Sequence, residues 1–267
     1  MARVCRTTRN TPARVVRAAD GRRNANYIAG ARITPETRDA KLNGTMSHWI
    51  DIETPHGPVR AWRADPGGPS RGAVLVIQEI FGLNPHIRRV VERFAEAGFV
   101  ALAPALFDPL ERGLELGYDR PDFERGRALV KALGTERAVD VLGSTAARLQ
   151  NEGLRVGAVG FCWGGSLALL CNTRLGLPAV SYYGARSLPL LDEPTRAPLM
   201  FHFGSRDASI PPEDVEQHRR KHPHARIHVY PAAGHAFNRD VDIHSFEPAS
   251  AALAWQRSID FLAESLR

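Results

Sequence analysis

The sequence lacks the long apolar runs of a membrane protein. No stretch approaches the roughly 18 apolar residues that a transmembrane helix requires. The longest run, around residues 98–107, is short and contains Pro104. We therefore expect no membrane partner.

Cysteine is also scarce, because the 267 residues include only three of them. Three cysteines do not make a disulfide framework. If Cys162 and Cys171 flank one helix, a rise of about 1.5 Å per residue separates them by roughly 13 Å. A disulfide requires Cα atoms within about 7 Å. The cysteines therefore indicate a reducing compartment, and we expect a cytoplasmic protein.

Acidic residues are few near the N-terminus. Residues 1–45 hold ten Lys and Arg against three Asp and Glu, whereas the remaining 222 residues sum to a charge of −1. The arginines follow no period, so a nucleic-acid-binding face is not expected. The segment also lacks the apolar core of a secretory signal. It is upstream sequence before a true start at Met46, a flexible native tail, or a transit peptide.

The rest of the chain alternates strand-like and helix-like segments. Two strands around a turn at residues 54–57 predict an entry hairpin, and later apolar runs predict buried strands. Strands are expected at 49–53, 58–63, 73–77, 99–103, 154–159, 179–183, 198–203 and 226–230. Helices are expected at 88–97, 122–133, 135–151, 164–173, 212–221 and 248–266. This order predicts an α/β fold with a mostly parallel central sheet and helices on both faces. We expect residues 1–45 to be a basic, disordered extension and residues 46–267 to be the folded domain.

The strongest local motif is residues 160–165, of sequence Gly-Phe-Cys-Trp-Gly-Gly, between a predicted strand and a predicted helix. It matches the nucleophile elbow Gly-x-Ser-x-Gly with Cys162 in place of serine. A side chain at either flanking glycine would clash in so sharp a turn. The helix N-terminus would also stabilise a thiolate. The alternative is a buried cysteine in an ordinary turn.

An acid and a histidine follow the elbow in chain order. Asp207 lies in the loop after a predicted strand, and His235 lies in a glycine-containing loop after the last strand. Nucleophile, acid and histidine is the order of α/β-hydrolases, and all three fall at carboxyl ends of strands. Taken singly, Asp207 could be a turn residue and His235 a surface histidine.

Three other polar residues require a separate interpretation. Glu79 ends the first buried strand, where an unpaired carboxylate is costly. It therefore either has a functional role or forms a hydrogen bond to the backbone of the turn. His218 and His222 are four residues apart on a predicted helix, but no third metal ligand lies near them. His202, inside an apolar strand, is expected to be a satisfied core residue. No metal and no cofactor are therefore expected.

Together the motifs resemble the dienelactone hydrolase (carboxymethylenebutenolidase) family, from about Ile50 to the C-terminus. The resemblance depends on residues 78–84, the elbow at 160–165, and residues 182–184, 204–207 and 234–237. It implies the α/β-hydrolase fold. It also implies Cys162 as nucleophile, His235 as base and later proton donor, and Asp207 as the residue that orients His235.

The resemblance further implies roles around this triad. The backbone N–H groups of Ile80 and Trp163 would form the oxyanion hole, and Glu79 would contact the resting thiol and help to generate the thiolate. Arg239 would grip a substrate carboxylate, with surface pairing to Asp240 or Asp242 as the alternative. The family's second carboxylate-binding arginine is replaced by Pro109, and Arg112 is the candidate substitute. Tyr183 is a further candidate for substrate binding.

The sequence thus predicts a hydrolase of small lactones or enol esters, acting through a covalent acyl-enzyme. A broad thiol esterase and a catalytically silent, ligand-binding α/β-hydrolase remain as alternatives. The expected partner is a small-molecule substrate, and the expected assembly is a monomer or a small homo-oligomer.

Overall fold

Nine strands form a single sheet in this computed structural model, which describes residues 40–42 and 45–267. In chain order the strands are β1 (Ala40–Leu42), β2 (Thr45–Ile52), β3 (Val59–Asp65), β4 (Ala73–Ile77), β5 (Val100–Pro104), β6 (Val156–Phe161), β7 (Ala179–Tyr182), β8 (Leu199–Gly204) and β9 (Arg226–Tyr230). The spatial order is β1-β2-β3-β5-β4-β6-β7-β8-β9. The pairs β1-β2, β2-β3 and β3-β5 are antiparallel, and all the other neighbouring pairs are parallel. The predicted mostly parallel sheet is confirmed.

Six α-helices connect or flank the strands of the described residues. They are α1 (Pro85–Glu96), α2 (Arg120–Leu133), α3 (Thr135–Asn151), α4 (Trp163–Thr173), α5 (Pro212–Lys221) and α6 (Pro248–Ser265), with a short 3₁₀ turn at Leu188–Leu190. Each predicted helix is present within three residues of its expected start. The start of α1 shows the reason, since the Asn84 side chain accepts the Ile87 N–H at 3.2 Å and Pro85 occupies the first turn.

Burial in the central strands explains why their sequences show no polar alternation. Every residue of β4, β5 and β6 is buried. Strands covered on both faces read as continuous apolar runs. The hairpin strands β2 and β3 instead alternate buried and more exposed positions. The predicted entry hairpin is confirmed by their antiparallel register, in which Ile52 faces Val59.

The two faces of the sheet carry different helices. The chain moves one way from β4 to β5 and the opposite way from β5 to β6, so right-handed crossovers place α1 and α3 on opposite faces. Phe94 of α1 packs against Trp255 of α6 at 4.5 Å between ring centroids, and α3 contacts α4. The reversal leaves a crevice at the carboxyl ends of β4 and β6, where open sheets bind ligands.

The structure describes only a few residues of the predicted N-terminal extension at residues 1–45. The sheet reaches upstream of Met46, because β1 pairs with β2 and β2 begins at Thr45. The remainder of the proposed 1–45 extension lies outside the described residues. Within the described part, no helix combines the length and the apolar character needed to cross a membrane.

Candidate active site

Cys162 occupies a sharp turn between β6 and α4. Its backbone adopts φ 54° and ψ −117°, a conformation that costs free energy for a residue with a Cβ. A Cβ on Gly160 would lie 1.8 Å from the Gly164 carbonyl oxygen, and one on Gly164 would lie 2.4 Å from the Gln78 oxygen. The expected clash at both flanking glycines is confirmed. The turn lifts the sulfur to the carboxyl edge of the sheet.

His235 and Asp207 lie in line with this sulfur. His235 Nε2 is 3.2 Å from Cys162 Sγ, and His235 Nδ1 is 2.7 Å from an Asp207 carboxylate oxygen. The other Asp207 oxygen accepts the Ser209 N–H at 2.8 Å. Because a carboxylate only accepts hydrogen bonds, the Nδ1 proton points at Asp207. The Nε2 nitrogen is thereby turned toward the sulfur.

The charge state of His235 follows from these contacts. Burial alone lowers the pKa of His235, but its hydrogen bonds to Asp207 and Cys162 and the charges of those groups outweigh burial and raise the pKa to about 10. The ring therefore carries a proton at neutral pH. An imidazolium beside a sulfur is the arrangement in which cysteine nucleophiles act as thiolates.

A cavity of about 230 Å³ opens onto the sulfur. Its lining residues are Ile80, Phe123, Arg127, Cys162, Trp163, Ala185, Arg186, Ser209 and His235. In the described part of the chain, the backbone N–H groups of Ile80 and Trp163 have no protein acceptor. Two free donors beside a nucleophile can donate hydrogen bonds to a developing oxyanion. The cavity size suits a small acyl group.

Glu79 is bound to Arg239 rather than to the thiol. The carboxylate is fully buried and accepts two hydrogen bonds from the guanidinium, at 2.9 and 3.1 Å. The thiol bonds to His235 instead, so the expected contact between Glu79 and the resting thiol is not formed. A buried carboxylate needs a strong partner, and the two charged hydrogen bonds of a guanidinium are stronger than one from a thiol.

Arg239 is only 7% exposed, so its guanidinium is buried and is not a free surface group. Its guanidinium also binds Asp242 at 3.2 Å and lies 4.4 Å from the ring centre of Tyr118. Of the two surface partners considered, only Asp242 pairs with it. Asp240 accepts from His86 at 3.1 Å.

Two other predicted substrate contacts lie outside the cavity. Arg112 binds Asp51 at 2.9 Å, and both side chains are about half exposed at the surface. Tyr183 is fully buried, its ring edge packs on His235 at 5.1 Å, and its hydroxyl has no partner among the described residues. Tyr183 therefore packs against the imidazole and does not line the cavity.

The cavity contains two cations that the motifs did not reveal. Arg127 lies on α2, whose exposed charges look like an ordinary solvated face. Arg186 follows β7 two residues after the Tyr-Tyr-Gly motif at 182–184, and its place at the carboxyl edge of a strand was a usable signal.

Two buried histidines outside the site have hydrogen-bond partners in the core. His202 is buried and bonds Ser258 at 3.0 Å and Tyr230 at 2.9 Å, which confirms a satisfied core residue. His218 bonds the Asp214 carbonyl oxygen at 2.8 Å. The described residues contain no cluster of three or more His, Cys, Asp or Glu that could hold a metal ion.

Known proteins resemble this chain along most of its length. The model of the dienelactone hydrolase family matches residues 59–266. A Synechocystis protein assigned as a carboxymethylenebutenolidase is 36% identical over 207 residues, or 69% of this chain and 82% of the relative. Carboxymethylenebutenolidase 1 of Cupriavidus pinatubonensis is 32% identical over 218 residues, or 78% of this chain and 92% of the relative. The crystal structure of a Klebsiella pneumoniae protein assigned as a dienelactone hydrolase covers 83% of this chain and all of its own, at 31% identity and a TM-score of 0.72.

Proposed function

This chain belongs to the dienelactone hydrolase family of lactone and ester hydrolases, and from that premise we propose that it cleaves small lactones or enol esters through a Cys162 acyl-enzyme. The proposal rests on the chain of hydrogen bonds from Asp207 through both nitrogens of His235 to Cys162 Sγ, which faces a small cavity. A nucleophile, a base and a group that orients the base is the constellation that acyl transfer requires.

In the first half of the reaction, the Cys162 thiolate attacks the carbonyl carbon and a C–S bond forms. The carbonyl oxygen becomes an oxyanion and accepts hydrogen bonds from the N–H groups of Ile80 and Trp163. Collapse of this intermediate breaks the C–O bond. The departing oxygen takes the proton from His235 Nε2, which leaves a thioester on Cys162 and a neutral imidazole.

In the second half, the neutral imidazole removes a proton from water, and the water oxygen attacks the thioester carbonyl. The same two N–H groups donate hydrogen bonds to the new oxyanion. The C–S bond then breaks and returns the thiolate beside a protonated His235. The carboxylic acid product leaves, and Asp207 holds the ring in one orientation throughout.

Replacement of the nucleophile tests this mechanism. We expect Cys162→Ala to reduce kcat on a lactone or aryl ester by several orders of magnitude with no loss of folded structure, because removal of a triad nucleophile typically has that effect. Cys162→Ser should also be poor, because a hydroxyl is much harder to ionise than a thiol. A slowly hydrolysed ester should leave an acyl adduct on Cys162 in the wild type, detected by intact-protein mass spectrometry.

Cys171→Ala is the matched control, since Cys171 lies on α4, the helix that follows Cys162, is fully buried and does not line the cavity. It should retain nearly full activity. Turnover above a few per cent in Cys162→Ala, or an adduct on another residue, would contradict the proposal.

A broad thiol esterase is the second candidate, and one observation favours it. The two arginines expected to grip a substrate carboxylate are occupied, Arg239 by Glu79 and Arg112 by Asp51. Comparing kcat/KM for an anionic lactone with that for a neutral aryl ester separates the two candidates. A preference for the neutral ester would support the broad esterase.

A further inference from the structure

A second, larger cavity adjoins the cavity at Cys162. Its volume is about 720 Å³, against about 230 Å³ for the cavity at the sulfur. Arg127, Trp163 and Arg186 line both cavities, so the two spaces meet at these side chains. Sites for small organic ligands commonly measure about 300–1,000 Å³. The smaller cavity alone lies below that range, whereas the two together reach its upper end.

The larger cavity has an apolar floor and a charged rim. The floor includes Val130 of α2 and Leu167 and Leu170 of α4, and all three side chains are buried. The charged residues of its lining are all exposed, and they are Glu124, Arg127, Lys131 and Arg186. Long charged side chains keep their charges in water while their aliphatic stems cover apolar surface. The interior of the cavity therefore suits an uncharged apolar group.

The walls of the larger cavity are held in place by contacts within the fold. The Trp163 indole, where the two cavities meet, stacks on Phe107 with 5.6 Å between ring centroids and 4° between planes. The backbone N–H of Arg186 donates to Ser166 Oγ at 3.0 Å, which holds the segment after β7 against α4. A site whose walls are already in position loses less conformational entropy when it binds a ligand.

The chemistry at the sulfur decides which part of a substrate can enter the larger cavity. At the attacked carbon, the oxyanion faces the N–H groups of Ile80 and Trp163, and the departing oxygen faces His235 Nε2. The acyl substituent takes the remaining direction. His235 and Ser209 line only the smaller cavity, so the larger one lies away from the departing oxygen. A group that extends past Trp163 is therefore on the acyl side.

We propose that the larger cavity is the acyl-chain subsite of this hydrolase. The substrate class is a neutral ester or lactone whose acyl part carries an extended alkyl or aryl substituent, which lies past Trp163 on the apolar floor. Binding energy from such a remote group raises kcat/KM although the group takes no part in bond breaking. The inference rests on the proposed hydrolase function and names its substrate class.

Two series of esters test the subsite. The 4-nitrophenyl esters of acetate, butyrate, hexanoate and octanoate lengthen the acyl chain, and methyl, butyl and hexyl acetate lengthen the alcohol. Burial of one methylene is worth about 0.8 kcal/mol, or about fourfold. Relative to alkaline hydrolysis of each ester, we expect kcat/KM to rise by about 10- to 100-fold from acetate to hexanoate, and by less than about fivefold along the alcohol series. Equal rises in both series would contradict the assignment to the acyl side.

Ala128→Trp should close the subsite. Ala128 is exposed on α2 and lines only the larger cavity, so a large side chain there can fill the space without disturbing the core. We expect the hexanoate-to-acetate ratio of kcat/KM to fall by about 10-fold or more. Ala132→Trp is the matched control, because Ala132 is also exposed on α2 and lines neither cavity, and it should keep the wild-type ratio.

Leu190→Asp tests the same space through charge instead of volume. Leu190 lies in the 3₁₀ turn, is partly exposed and lines the larger cavity, so the variant places a carboxylate where the alkyl chain is expected. The hexanoate-to-acetate ratio should fall again. Leu188→Asp, in the same turn but in neither lining, should keep the wild-type ratio. A wild-type ratio in both Ala128→Trp and Leu190→Asp would overturn the subsite.

A binding measurement separates this inference from the proposed function. In Cys162→Ala, calorimetry should show that the neutral analogue octanamide binds at least about 10-fold more tightly than butanamide, with a negative change in heat capacity. This difference in binding with no ester turnover in the wild type would contradict the hydrolase mechanism and leave the subsite standing. Turnover that does not depend on acyl length would overturn the subsite and leave the mechanism standing.

Discussion

The imidazole of His235 shows how neighbouring groups set the protonation state of one residue. Its pKa is raised to about 10 in the folded protein, whereas it is near 6.5 in the unfolded chain. The folded protein therefore binds this proton more tightly than the unfolded chain does. His235 therefore stabilises the fold fully below about pH 6.5. That stabilisation declines as the pH rises and is gone above about pH 10.

Asp207→Asn should weaken this dependence on pH. The variant loses the carboxylate that helps to raise the pKa of His235, so its melting temperature should fall less steeply than that of the wild type between pH 7 and 10. Thermal unfolding at several pH values measures the slopes, and an NMR titration of His235 should show a lower midpoint in the variant. Asp192→Asn is the control, because Asp192 pairs with Lys221 on the surface. Parallel curves for all three proteins would contradict the assignment.

The pair of Glu79 and Arg239 is a second feature at the scale of residues. Both groups are buried, so removal of Arg239 leaves an unpaired carboxylate in the interior, and removal of Glu79 leaves Arg239 with only its contact to Asp242. We expect Glu79→Gln and Arg239→Met each to lower the free energy of unfolding by about 3–5 kcal/mol. The double variant should lose much less than the sum, since neither charge remains. Urea unfolding of the four proteins gives the coupling.

The exposed pair of Arg112 and Asp51 is the matched control for that cycle. Its removal should change the unfolding free energy by less than about 1 kcal/mol, because water screens a surface pair. Additive effects at Glu79 and Arg239 would mean that the buried pair is not coupled.

At the scale of elements, the contact between α2 and the loop that carries Ile80 connects packing to the proposed catalysis. Gly126 lets the helix approach the Ile80 carbonyl group closely, although glycine is a poor helix former. The neighbouring Ile80 N–H is one of the two proposed oxyanion donors. A shift of α2 would therefore move a donor relative to the sulfur.

Gly126→Ala should accordingly lower both stability and kcat/KM, despite the better helix propensity of alanine. A misplacement of about 1 Å can reduce a rate by about 100-fold, so a loss of roughly 10-fold or more is expected. Gly143→Ala in α3 is the control. Its Cβ would meet Leu175 at an ordinary 3.6 Å, so it should stabilise the helix by about 0.5–1 kcal/mol and leave the rate unchanged. A faster or more stable Gly126→Ala would contradict this role.

At the scale of the whole molecule, the reversal of strand order assembles the site. Cys162 follows β6, Ile80 follows β4, Asp207 follows β8 and His235 follows β9, and these parallel strands all end at one edge of the sheet. The helices on both faces bury the central strands and keep that edge fixed.

The order of helices and strands could be predicted from the sequence alone, and the sequence also indicated the residues proposed here to be catalytic. Buried parallel strands require continuous apolar runs, and α1 requires the cap at Asn84, so both could be predicted locally. The elbow around Cys162 could be predicted because its glycines are needed for the turn itself. Asp207 and His235 followed from chain order, since parallel strands place their carboxyl ends together.

The pairing of side chains across the site could not be predicted from the sequence and follows from the packing of distant segments. Glu79 and Arg239 are 160 residues apart, and nothing in either segment specifies that the two meet. Arg112 pairs with Asp51, and Tyr183 packs on His235. Arg127 and Arg186 come from different elements but line the same cavity. The physical reason is that local patterns specify backbone conformation and burial, whereas ion pairing depends on which charged groups reach the same space once the sheet and its helices have packed.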